Sequence, residues 1–404
     1  MADNKRKRQT RRDQGEGSIT KRSDGRWAVS IRIRGKRIFK YAKDEKEAKA
    51  ILKALKKEIE QGVKPDAPKF TVASYLEYWL KVHRAGIRDS TYVTYTTCIK
   101  QIMLVLGSNR LSSLSGDQIQ LGYIKMQKEL GLSFGTMKLT HTIFRAALND
   151  AVKWGYIAMN PARHVEVSKI PRTHHHALTI EQAKQLLRYT DGDTYVSSQM
   201  TCLLTLAIAT GMRRGEMLGL KWGDIDMDAK TVFITRTVSY LTVDGQTKYI
   251  ETPPKTDYSK RRIQIPDFVM AEIQKQKARQ AEQRLKAGPG WEVRDLVFSN
   301  AFGSYFNPRS VSRYFELALK KAGLEHIRFH DLRHSAASIL MAMNVHPKVV
   351  QELLGHSSIS ITMNIYSHTD PSLQRQAMDD LHTKFGFKND DDDDDANAVG
   401  AKKK

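Results

Sequence analysis

The stretch HDLRHSAASILMAMNVHPKVVQELLGHSSISITMNIYSH, residues 330–368, decides how this chain is read. HDLRH at 330–334 sets His330 and Arg333 three residues apart, one helical turn, so both face the same point. LGH follows at 354–356, and Tyr366 stands ten residues beyond His356 in the run MNIYSH. Upstream, TGMRRGE at 210–216 places Gly211 at a turn with Arg213 just after it. A helix start there favours phosphate through its free N–H groups, and an arginine adds a fork of donors. Glu216, three residues from Arg213, is placed to orient that guanidinium. PPKTDYSKRR at 253–262 adds Lys255 between two strand-like runs. Arg213, Lys255, His330, Arg333, His356 and Tyr366 together suit one task, holding a phosphodiester while an oxygen nucleophile attacks it. Two arginines clamp a phosphate. A lysine or histidine passes protons, and a tyrosine takes the phosphoryl group covalently. A single histidine of this kind is more often a satisfied core or surface residue, so the joint order carries the reading.

The rest of the chain suits a polyphosphate partner. At 404 residues the length prior is about two to three domains. A composition 40% hydrophobic and 27% charged supplies ordinary globular cores. No stretch approaches the roughly 20 apolar residues that a membrane span needs. Met1 to Arg12 is polar and basic with no apolar segment behind it, so no secretory signal is expected. Cys98 and Cys202 lie far apart, which argues against a disulfide framework and fits a reducing cytoplasm. The formal charge is +22, and residues 1–64 hold 21 Lys/Arg against 9 Asp/Glu, a net +12. Aromatic and strand-forming residues interleave with these cations. Nucleic acid is therefore expected in preference to an acidic membrane, which would select a wide apolar helix face.

Periodicity predicts a multidomain chain. Residues 1–14 read as a disordered basic arm. Residues 15–62 read as a three-stranded sheet and a helix. The strand-like runs are Gly17–Thr20, Trp27–Ile33 and Arg37–Tyr41, separated by turns at Ser23-Asp24-Gly25 and Arg34-Gly35-Lys36. Asp44 and Glu47 then form a capping-box spacing. Arg32, Arg34, Lys36, Arg37 and Lys40 are the candidate DNA-binding residues of that sheet, as a β-ribbon entering a major groove; a basic solvated face is the alternative. Residues 70–165 read as an all-α domain whose later helices start at Ser90, Asp117 and Ser133. Residues 174–388 read as mainly α with a small antiparallel sheet. There a helical stretch runs from Thr179 to about Gly211. TVFITRTVSY at 231–240, Lys248–Glu251 and Arg262–Ile265 are its strands, Asp244-Gly245 is a turn, and helices resume near Pro266. Residues 389–404, with Asp390–Asp395, read as a disordered tail. His174-His175-His176 diverge in an extended link and lack a second ligand group at zinc spacing. No acidic cluster suited to two Mg²⁺ ions accompanies the motifs. Neither metal nor cofactor is expected.

The order Arg213, Lys255, HDLRH, LGH, Tyr366 resembles the tyrosine recombinases, in particular the phage and conjugative-transposon integrases similar to lambda integrase. The motifs span about residues 170–385, and the remainder resembles the family by layout: an arm-binding sheet domain and a core-binding helical domain ahead of the catalytic one. The resemblance implies that Arg213 and Arg333 hold the non-bridging oxygens of the scissile phosphate. It implies that His330 accepts the proton of the nucleophile and that His356 hydrogen-bonds the phosphate. Tyr366 would attack to give a 3′-phosphotyrosine, and Lys255 would protonate the departing 5′-oxygen. Lys260 and Lys248 compete with Lys255, and Arg214 with Arg213, although the motif spacing favours Arg213. Implied partners are double-stranded attachment sites with core and arm sequences, and a homotetramer on DNA. An excision factor and a host DNA-bending protein, all acting at the nucleoid of a bacterial cell, complete the set. The stripe Leu373, Ala377, Leu381 and Phe385 would dock on a neighbouring protomer or on its own domain. A catalytically silent DNA-binding protein and a resolvase-type recombinase are the rival readings.

Overall fold

Alternation in Trp27–Ile33 sends Val29 and Ile31 to one face of a strand, and that face nucleates the N-terminal core. The computed structural model describes residues 17–33, 36–167, 177–190, 194–254, 260–356 and 358–360, with isolated residues between 363 and 385. The chain divides between residues 172 and 173 into two units. In the first, β1 (Ser18–Lys21), β2 (Trp27–Ile33) and β3 (Lys36–Ala42) form an antiparallel sheet in that order, with Ile31 opposite Ile38 and Arg32 opposite Arg37. Helix α1 (Glu45–Glu60) covers the sheet and packs Ala48 and Leu55 on Val29, Ile31 and Ala42. Asp44 accepts from the Glu47 N–H at 2.7 Å. The Glu47 carboxylate returns to the N–H of Lys43 rather than Asp44, so the reciprocal bond sits one residue earlier than the capping box predicts.

Four helices follow: α2 (Val72–His83), α3 (Asp89–Leu106), α4 (Gly116–Leu130) and α5 (Phe134–Lys153). They enclose Tyr75, Leu76, Trp79, Ile102, Ile119, Met126 and Phe144. Two expected starts shift. Helix α3 begins at Asp89 behind an extended Arg88, not at Ser90, and Asp89 pairs with Arg84. Helix α4 is capped by a reciprocal Ser115–Gln118 pair, which leaves Asp117 in the first turn, where the helix dipole favours a carboxylate.

The second unit is arranged around α7 (Tyr195–Thr210), which is apolar on nearly every side and accordingly central. Helix α6 (Ile180–Arg188) precedes it. The single helical stretch expected from Thr179 to Gly211 is thus two helices, because a Thr194–Ser197 capping box starts a new one. Short α8 (Arg214–Leu218) follows Gly211. The expected strand at 231–240 is also divided. Its first half, β5 (Thr231–Ile234), lies between β4 (Ile225–Asp226) and β8 (Arg261–Gln264). Its second half, β6 (Thr237–Val243), pairs only with β7 (Gln246–Thr252). There are consequently two small antiparallel sheets instead of one. Asp244 and Gly245 join β6 to β7 with φ of 50° and 80°, the left-handed pair a two-residue hairpin loop requires.

Helix α9 (Asp267–Ala287) begins where helices are expected to resume near Pro266, stops at Gly288-Pro289-Gly290, and is followed by an irregular stretch at 291–307. Helices α10 (Pro308–Lys321), α11 (Asp331–Ala342) and α12 (Pro347–Leu354) complete the described fold. Among the described residues no helix is long and apolar enough to cross a membrane.

Candidate active site

Two helix C-termini build the site. Helix α7 ends at Gly211 with φ 61°, and α12 ends at Gly355 with φ 67°. Both are left-handed positions that glycine occupies without a Cβ penalty. At Gly211 the constraint is also steric, since a Cβ would lie 2.2 Å from a Leu354 methyl group. These ends present carbonyl oxygens, and two arginines cap them. Arg333, on α11 and 5% exposed, donates from Nη1 to Gly211 O at 2.8 Å and from Nη2 to Leu354 O at 2.6 Å. Arg213, the residue preceding α8, donates from Nη2 to Gly355 O at 3.3 Å. Helix termini of this kind carry partial negative charge, which holds both guanidiniums in place.

Glu216 fixes Arg213 a second time. One of its oxygens accepts from Arg213 Nη1 at 2.7 Å, and the other accepts from the Arg213 backbone N–H at 3.0 Å. Burial alone would raise the pKa of Glu216, but Arg261 and then Arg213 outweigh it and hold it below the usual carboxylate value. Burial, with Arg213 and Arg261 nearby, pushes Arg333 down to about 9, still cationic at neutral pH. Arg213 and Arg261 therefore flank one carboxylate, Arg333 stands within reach of its charge, and the group carries an excess of positive charge.

The histidines flank this group. The His356 ring accepts at Nε2 from Arg333 Nε at 3.2 Å, which assigns its own proton to Nδ1. Burial, then Arg333 and Arg213, lower its pKa to about 3, so the ring is neutral. His330 precedes α11 and its ring meets that of His334 edge-on at 5.9 Å. Partial burial, followed by His334 and Arg333, lowers the His330 pKa as well. His330 and Arg213 also border an open cleft of about 830 Å³, whose lining includes Tyr240 of β6 and Arg309 and Arg313 of α10.

Arg213, Glu216, Arg333 and His356 thus converge through hydrogen bonds, and His330 stands beside them. Arg214 lines the same cleft but donates to Ser312 Oγ at 2.7 Å and Pro308 O at 3.3 Å, whereas Arg213 donates to Glu216 and Gly355 O. Lys255 and Tyr366 lie outside the described residues. Lys248 on β7 and Lys260 ahead of β8 are exposed. Among the described residues no three His, Cys, Asp or Glu side chains group as a metal site, and His174 to His176 lie outside that set. The sequence reading missed Arg261, which is 8% exposed and donates from Nη2 to Glu216 at 3.1 Å. Its signal was phase: Arg261 alternates with the buried Ile263 and Ile265, an inward register that only a partnered arginine tolerates.

In the N-terminal sheet, Arg32 and Arg37 are exposed and directly opposed on the face away from α1. Phe39 and Tyr41 share that face at 53% and 48% exposure, and Arg37, Arg22 and Arg26 lie over their rings. Lys40 is exposed but pairs with Val29, so it belongs to the opposite face. Arg34 lies outside the described residues, and Lys36 is fixed only as the β3 partner of Ile33. The aromatics were the overlooked part of this surface.

Residues 176–372 match the phage integrase family, and residues 71–127 match the phage integrase N-terminal SAM-like domain. A tyrosine recombinase XerC-like protein of Caldanaerobacter subterraneus subsp. tengcongensis is 31% identical over 362 residues, covering 85% of this chain and 91% of that protein. Among solved structures, the Tn1549 transposon integrase in complex with circular intermediate DNA superposes with a TM-score of 0.65 at 22% identity, over 77% of this chain and 99% of that one. A lambda integrase tetramer bound to a Holliday junction gives 0.52 at 20% identity, over 88% of this chain and 96% of that one. Relatedness over most of the chain's length, together with the converged arginines and histidines, makes this chain a member of the phage integrase family and a site-specific tyrosine recombinase.

Proposed function

We propose that the protein is a DNA integrase that cuts and rejoins strands through Tyr366. In this reading Arg213 and Arg333 hold the two non-bridging oxygens of the scissile phosphate, and the Nδ1–H of His356 donates to the same group. The Tyr366 oxygen bonds to phosphorus, its proton passes to His330, and the bond to the 5′-oxygen breaks as Lys255 supplies that oxygen with a proton. The products are a 3′-phosphotyrosine and a 5′-hydroxyl. The phosphoryl bond energy is retained, and a second 5′-hydroxyl reverses the step on a new strand.

The single observation that carries this reading is the anchored arginine pair. Arg213 and Arg333 are each tied to a helix-end carbonyl, so they need no reorganisation as charge gathers on the phosphoryl oxygens. The lowered pKa of His330 suits a neutral proton acceptor. Residues 70–165 would grip core sequences. The sheet face with Arg32, Arg37, Phe39 and Tyr41 would enter arm-type sites, and the reaction would run in a tetramer on DNA in the bacterial cytoplasm. The XerC-like relative favours a resolvase-type alternative, which has no use for a separate arm site. Incubation with a library of nicked duplexes, followed by sequencing of trapped covalent adducts, defines the attachment site. On that site Tyr366→Phe should keep specific binding and lose every protein–DNA adduct. Adducts that persist in this variant would remove Tyr366 as the nucleophile.

A further inference from the structure

Arg261 joins three segments of the site without facing the cleft. It opens β8, six positions after Lys255. Its Nη2 reaches Glu216 Oε2 at 3.1 Å, its Nη1 lies 3.5 Å from Oε1, and its Nε donates to Leu353 O at 2.7 Å. Glu216 spends the same two oxygens on Arg213, one on the guanidinium and one on the backbone. The carboxylate is therefore gripped from both sides, and the side chain of Glu216 is only 1% exposed. Leu353 immediately precedes the Leu354 and Gly355 carbonyls that seat Arg333 and Arg213.

We infer that Arg261 is a positioning residue for Arg213: by pinning the Glu216 carboxylate and the C-terminus of α12, it sets where the Arg213 guanidinium stands. A buried carboxylate with Arg213 as its sole cationic partner would either draw that arginine inward or take up a proton. Either event removes Arg213 from the position where a phosphate is held. A lysine at 261 keeps the charge yet offers a point donor in place of a planar fork, so it restores the alignment only partly. The inference rests on the proposed phosphate-holding role of Arg213.

The test measures single-turnover adduct formation by the full-length protein on the nicked attachment site. A normal phosphodiester is compared with a methylphosphonate, which lacks one charged oxygen. Arg261→Met should slow adduct formation about 100-fold on the phosphodiester, as expected for loss of one preorganised donor. On the neutral methylphosphonate the penalty should shrink to about tenfold or less, in parallel with Arg213→Lys, because less anionic charge then needs the guanidinium. Arg261→Lys should recover part of the loss. If the bare carboxylate prevents folding, Arg261→Met with Glu216→Gln removes both charges and should show the same substrate discrimination. An equal penalty on both substrates, or a double variant at parental rate, overturns the inference while leaving the proposed function intact. Absence of any adduct from the parent protein overturns that function, and the inference with it.

Discussion

Arg333 and His356 form a pair whose protonation state is dictated by their surroundings. The guanidinium donates to His356, so that ring must keep its Nε2 lone pair. A second proton would place two cations 3.2 Å apart in a buried site already holding Arg213 and Arg261. Folding therefore disfavours imidazolium, and the folded pKa falls to about 3 from the ordinary 6.5. The sign of the pH effect follows. Above 6.5 neither folded nor unfolded chain protonates this ring, and it adds no pH dependence. As pH falls below 6.5 the unfolded chain binds a proton that the folded chain refuses, so stability is lost progressively down to about 3. Denaturant unfolding at pH 7 and pH 5 tests this. The parent protein should lose about 2 kcal/mol more than His356→Gln over that interval, given about 1.4 kcal/mol per pH unit for one proton. Identical losses in the two proteins would show that His356 titrates normally.

At the scale of elements, the division of 231–240 into β5 and β6 is governed by Asp224. Its carboxylate accepts from the Lys221 N–H at 2.9 Å and from Thr235 Oγ1 at 3.2 Å, and it pairs with Arg236. Thr235 and Arg236 are the two residues between the strands, so one nearly buried carboxylate holds the bend where the chain leaves one sheet for the other. Asp224→Ala should cost about 3 kcal/mol, because Arg236 is left without its carboxylate in a partly buried place. Amide exchange should accelerate in β6 and β7 more than in α7. Adding Arg236→Met should restore part of the stability, and a double variant no more stable than Asp224→Ala would refute the pin. This bend also marks what one-dimensional reading loses. Alternation in TVFITRTVSY is legible, but the change of sheet at Thr235-Arg236 depends on a carboxylate eleven residues away. The helices were more transparent, since Thr179, Ser133 and Asp44 announce their starts locally. Arg213, Glu216, Arg333 and His356 were legible as a set because motif spacing records them. Arg261 was hidden among three consecutive cations at 260–262, where only its inward phase separates it from Arg262.

For the whole molecule, charge and fold divide the labour differently. Residues 1–64 contribute +12 of the +22, yet the described part of this segment forms its own small core of Val29, Ile31, Ala42, Ala48 and Leu55. Removing it leaves 45 Lys/Arg and 35 Asp/Glu, a net +10, and touches none of Arg213, Glu216, Arg261, Arg333 or His356. The arginine scaffold should therefore stay assembled in a chain of residues 65–404. Adduct formation on a nicked core site should remain within about tenfold of the full-length rate, since none of the groups proposed to meet the phosphate is lost. Binding should change in a particular way. Each phosphate contact contributes roughly −0.9 to the slope of log affinity against log salt, so loss of an arm contact made by Arg32, Arg37 and their neighbours flattens that slope. The flattening should appear only on duplexes that carry arm sequences beside the core. Integration, which on this reading needs both contacts at once, should fall far more than cleavage does. A truncated protein that integrates as well as the parent would return the basic sheet to the status of a solvated face, and would favour the resolvase-type alternative.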